Sequence, residues 1–85
     1  MTEIEAWAIE YVSRVDPGFA SLVKEKQLAE NLFTAGRLDS MALMNLLLDA
    51  EARFDFIFTP EAFQDRRLQK IGGLAVVIGE LKSRK

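Results

Sequence analysis

The chain has no cysteine and no histidine. The first absence excludes disulfides, thiolate nucleophiles and cysteine-bound metals; the second removes the usual general base near neutral pH and the commonest metal ligand. No apolar run approaches the roughly 18 residues that a membrane span requires. Met1-Thr2-Glu3-Ile4-Glu5 lacks the basic start of a secretory signal, so a cytoplasmic location is expected. Nor does the chain contain an internal repeat or a low-complexity tract. With a net charge of -2 and a pI near 5.1, the molecule as a whole is poorly suited to neutralising phosphates, and no nucleic-acid partner is expected.

What is present is an ordinary globular composition, 49% hydrophobic and 28% charged over 85 residues. This length suits a single domain spanning residues 1–85 and a monomer, with only about 60 to 65% of the unfolded surface buried on folding. A wide catalytic cleft does not fit such a core, so independent enzymatic activity is not expected. Charge is distributed unevenly. Residues 1–62 hold eleven acids and five bases, whereas residues 63–85 hold two acids and six bases. The basic end has no aromatic residue after Phe63, unlike a surface built for RNA.

From Glu3 to Val15, Ile4, Trp7, Ala8, Tyr11, Val12 and Val15 recur at three- and four-residue spacings and predict an amphipathic helix. Asp16-Pro17-Gly18 stops it, and Phe19 to Val23 is expected to add a short helical turn. The stretch 27–38 has sparse apolar anchors, chiefly Leu28, Leu32, Phe33 and Leu38, and reads as a long ordered loop. A strong helix follows from Ser40 to Phe54, with Asp39 as its N-cap. Thr59 and Pro60 mark the start of a brief helix, and a last helix is expected from near Leu68 through Leu81 into the basic tail Lys82-Ser-Arg-Lys85. The expected fold is therefore all-α: three principal helices plus one short helix, with a long loop between the first and second.

At about 100 degrees per residue, Leu43, Leu46, Leu47, Ala50 and Phe54 share one sector of the 40–54 helix. Met41, Met44 and Leu48 form a second apolar strip beside it. Either another part of the chain packs there, or the strip is a docking surface whose flexible methionines adapt to a partner. Ser40 stands at its leading end. Without a neighbouring base Ser40 is no hydrolase nucleophile, and its ordinary role would be that of a first-turn residue. A phosphodiester on Ser40, however, would lie against helix-terminal amides and the positive end of the helix dipole.

The run Asn31-Leu-Phe-Thr-Ala-Gly-Arg-Leu-Asp-Ser-Met41, followed by Leu46-Leu-Leu and Glu51-Ala-Arg-Phe-Asp55, resembles the phosphopantetheine attachment region of acyl and peptidyl carrier proteins. The likeness continues through Phe63-Gln-Asp65 and Leu68-Gln-Lys-Ile-Gly-Gly-Leu74, and so covers nearly the whole chain. It implies a four-helix carrier bundle in which Ser40 bears a 4'-phosphopantetheine arm and Asp39 supports its attachment. It also implies that Met41 and Met44 meet partner proteins; Leu48 on the same strip and the acids Asp49 and Glu51 are further candidate partner contacts, Asp49 at a position often apolar in fatty-acid carriers and Glu51 equally able to be simply solvated. Those partners would be a phosphopantetheinyl transferase, an adenylating or acyl-loading ligase, and a downstream acyl or aminoacyl transferase or synthase. The cargo would be held as a thioester on the arm, which supplies the reactive sulfur that this chain lacks.

Compared with fatty-acid carriers, the chain has Ala42, Asn45 and Ala52 at commonly acidic positions, and Arg53 adds a positive charge. Asp55 replaces a frequent glycine, and Phe58 a smaller residue. The Gly36-Arg-Leu-Asp-Ser-Met41 form and the stretch Leu46-Leu-Leu-Asp-Ala-Glu-Ala-Arg-Phe54 look more like freestanding D-alanyl or other aminoacyl carriers. The alternative is an unmodified helical adaptor that grips its partner through Met41, Met44 and Leu48.

Overall fold

A computed structural model describes residues 2–83, and among them every regular element is a helix. Five α-helices follow in order: α1, Glu3–Val15; α2, Lys24–Ala29; α3, Ser40–Phe54; α4, Pro60–Phe63; and α5, Ile71–Ser83. Two 3-10 turns, Pro17–Ser21 and Arg66–Gln69, stand before α2 and α5. The three long helices α1, α3 and α5 enclose the core, to which Ala8, Val12, Leu46, Leu47, Ala50, Leu74 and Ile78 contribute buried side chains.

Local chemistry accounts for the boundaries. Thr2 Oγ1 accepts the Glu5 amide at 3.1 Å while Glu5 Oε1 accepts the Thr2 amide at 2.8 Å, a reciprocal cap that starts α1. Asp16 Oδ1 then accepts the Gly18 amide at 3.1 Å, and Pro17, which cannot extend α1, opens the first 3-10 turn. Val15, expected on the apolar face, is exposed in the last turn of α1. Thr59 caps α4 by accepting the Ala62 amide at 3.1 Å, with Pro60 in the first turn as the sequence indicates.

The segment expected as a loop over 27–38 is partly helical. Lys24–Ala29 forms α2, leaving residues 30–39 as the connection. Its buried Gln27 is held by its own bond, Nε2 donating to the Phe19 carbonyl at 3.0 Å, so a polar side chain supplies an anchor that apolar spacing does not reveal. Phe33 also departs from expectation: Leu32 and Leu38 are buried, whereas Phe33 is 46% exposed.

The last helix begins at Ile71, not near Leu68, because Asp65 caps a separate 3-10 turn by accepting the Arg67 amide at 2.9 Å. Gly73 makes that junction possible. A Cβ on Gly73 would lie 2.4 Å from the Arg67 carbonyl oxygen, so only glycine allows the turn to press against α5. At the other end of α5, Lys82 Nζ donates to the Phe54 carbonyl at 2.6 Å and so satisfies the C-terminus of α3. Arg84 and Lys85 of the expected basic tail lie outside the described residues.

Candidate functional site

The connection 30–39 delivers Asp39 and Ser40 to the surface through a series of backbone locks. Asn31 Oδ1 accepts the Phe33 and Thr34 amides at 3.0 and 2.9 Å, folding the first part into a turn. Gly36, at φ 77°, reverses the chain in a region that side chains with a Cβ disfavour. The Leu32 carbonyl then accepts both the Arg37 and Leu38 amides, at 3.0 and 3.1 Å. Arg37 is clamped by Glu30 at 2.7 Å and Asp16 at 3.2 Å, and these partners raise the affinity of its guanidinium for its proton. Buried Leu38 fixes the chain immediately before Asp39.

Asp39 is the N-cap of α3. Its Oδ1 accepts the Ala42 amide at 2.7 Å, and its carbonyl accepts the Leu43 amide at 2.9 Å. Ser40 is the first helical residue and is exposed. The cap directs the Asp39 carboxylate into the helix end, while the Ser40 and Met41 amides belong to the turn that has no preceding carbonyls within the helix. An anion carried on Ser40 would therefore meet amide dipoles and the positive end of a 15-residue helix. On these grounds the residues fit a phosphodiester.

Of the two faces expected on this helix, Leu46, Leu47, Ala50 and Phe54 are buried and Leu43 is half-buried against them. Met41 is 74%, Met44 44% and Leu48 48% exposed, so the second strip remains open to solvent. The acidic positions differ from each other. Asp49 accepts the Tyr11 hydroxyl at 2.7 Å, joining α3 to α1. Burial, together with the hydrogen bond and the charge of Asp49, pushes the Tyr11 hydroxyl up to about 12. Glu51 is half-buried and points into the turn after α3, where Oε2 accepts the Phe58 amide at 2.7 Å.

Ile57 was not singled out by the sequence, yet it is 80% exposed between buried Phe56 and Phe58. Its sequence signal is an in-out-in alternation of only three residues, too short to show a period. Asp55 adopts φ 56° and ψ 62°, the left-handed conformation that commonly places glycine after a helix. Aspartate tolerates this region better than most residues, which accounts for its standing at that position. No group of three or more acidic side chains capable of holding a metal occurs among the described residues, and no helix there is long and apolar enough to cross a membrane. Neither family models, nor curated proteins, nor solved structures give a match to this chain.

Proposed function

We propose that the chain is a carrier protein whose Ser40 accepts a 4'-phosphopantetheine arm and which presents an acyl or aminoacyl group to partner enzymes. The observation that carries this reading is the placement of an exposed serine in the first turn of α3, behind a self-satisfied Asp39 cap and beside an open apolar strip. When attached, the arm supplies the thiol that holds the cargo as a thioester.

The chain's own contribution is to present and orient. Ser40 Oγ would form the bond to the pantetheine phosphate as the pyrophosphate bond of coenzyme A breaks and adenosine 3',5'-bisphosphate leaves, with the serine proton passing to the transferase. A chain without histidine offers no neutral-pH base at this position. The amides at the start of α3 favour the resulting negative charge. Met41, Met44 and Leu48 provide an adaptable contact for the transferase, a loading ligase and a downstream transferase or synthase in turn.

Intact mass after incubation with coenzyme A and a broad-specificity phosphopantetheinyl transferase tests the proposal. One pantetheine increment is expected on the wild type and none on Ser40→Ala. A folded wild-type chain that stays unmodified while a control carrier is modified overturns it. In that case, partner capture lost on Met44→Ala and retained on Ser40→Ala would identify the adaptor.

A further inference from the structure

Away from Ser40, a cleft of about 580 Å³ opens between residues 31–34 and the 3-10 turn Arg66–Gln69. We propose that this cleft binds a nucleotide, with Arg66 and Lys70 taking the phosphates and Phe33 stacking against the base. The two walls are tied together before any ligand arrives. The Leu32 amide donates to the Gln69 carbonyl at 2.8 Å, and Asn31 Nδ2 donates to Gln69 Oε1 at 2.8 Å.

Those bonds determine what the cleft offers a ligand. The amide oxygens of Asn31 and Gln69 are both occupied, the former by the Phe33 and Thr34 amides. The polar side-chain groups left open include Gln69 Nε2, the Arg66 guanidinium and the Lys70 ammonium, which donate, and the Thr34 hydroxyl, which both donates and accepts. No carboxylate lines the cleft among the described residues. Arg67 reaches it too, but its charge is balanced by Asp65 at 2.7 Å and Glu80 at 3.2 Å. Arg66 and Lys70 have no ion pair among the described residues.

A pocket of donors and unbalanced cations selects an acceptor-rich anion, and phosphate is the best match to an arginine and a lysine acting together. The half-exposed Phe33 ring adds a flat apolar face suited to an aromatic base. This site does not depend on modification of Ser40, which does not line the cleft.

The test is a titration of the full ¹⁵N-labelled chain with ADP, adenosine, inorganic phosphate and a penta-glutamate peptide, following the Phe33, Thr34 and Gln69 amides. ADP is expected to saturate these shifts at millimolar concentration or below, more tightly than adenosine or phosphate. The Arg66→Ala/Lys70→Ala double variant, shown to be folded by circular dichroism, should bind ADP at least about tenfold more weakly. Phe33→Ala should remove the advantage of ADP over phosphate, and Ser40→Ala should bind as wild type does. Failure to saturate by about 10 mM, or ADP binding unchanged in the double variant, overturns the proposal. Phosphate binding as tightly as ADP overturns the nucleotide assignment, and tighter binding of penta-glutamate overturns it in favour of an acidic peptide.

Discussion

Gly73 and Gly79 lie six residues apart in α5, and replacing each with alanine separates helix propensity from packing. Both substitutions relieve the flexibility of glycine, worth up to about 1 kcal/mol in a helix interior and less near an end. At Gly79 the new methyl meets nothing within 4 Å, so Gly79→Ala should gain roughly that amount. At Gly73 the methyl would lie 2.4 Å from the Arg67 carbonyl oxygen, 2.8 Å from its Cβ and 3.0 Å from its carbonyl carbon. Two of those three atoms are backbone, so no rotamer change relieves the clash; the 3-10 turn or α5 must move. Overpacking of this kind costs about 1–3 kcal/mol, and the variants should therefore differ by at least about that much. For a domain of this size each kcal/mol shifts Tm by about 4–8 °C, which places Gly73→Ala well below Gly79→Ala in a thermal melt. Equal melting temperatures would refute the contact between α5 and the Arg66–Gln69 turn as described.

Three further predictions concern α3 and its neighbours. Tyr11 is the only tyrosine, and its native hydroxyl is held up to about 12, chiefly by burial and then by Asp49, against about 10 in an unfolded chain. The native state thus holds this proton more tightly, so the associated stability is complete below about pH 10 and is lost as the pH rises through about 12. Tyrosinate absorbance of the folded protein should report the raised midpoint, and Asp49→Asn should lower it; a wild-type midpoint near 10 contradicts the Tyr11–Asp49 bond. Glu51→Ala should cost about 1–3 kcal/mol in urea unfolding by orphaning the Phe58 amide, and Glu51→Gln, which keeps an acceptor, should cost less. Asp39→Ala should cost about 0.5–2 kcal/mol through the lost α3 cap, with thermal unfolding as the check and an unchanged Tm as the refutation.

Where several turns repeat one pattern, sequence and structure agree closely. Glu3–Val15 and Ser40–Phe54 carry enough three- and four-residue repeats to define both ends, and Asp39, Thr59 and Pro60 stand where their capping chemistry requires. The same periodicity separates two apolar strips on α3, but whether the second is covered or open is decided only by the packing of the rest of the chain. Elements anchored by individual tertiary bonds were not legible in this way. α2 spans only six residues, and one of its anchors is Gln27 donating to the Phe19 carbonyl. The Arg66–Gln69 turn depends on Asp65 and on contact with Gly73, neither of which leaves a periodic trace. At the candidate site, Ser40 and the methionines lie as their positions suggested. Composition could not tell that Glu51 turns inward to the Phe58 amide while Asp49 is met by Tyr11.

The bond between Asn31 and Gln69 joins residues 38 apart in the chain, and the neighbouring Leu32 amide closes on the same residue. Closing this pairing carries the entropy of a long loop, which the local turns of α3 do not. During synthesis, α3 and Ser40 emerge from the ribosome before Gln69 does, at a stage when residues 30–39 have no second wall to close against. The ordered approach to Ser40 is thus completed by a residue well downstream of it, and an enzyme that recognises that approach would distinguish a finished chain from a nascent one.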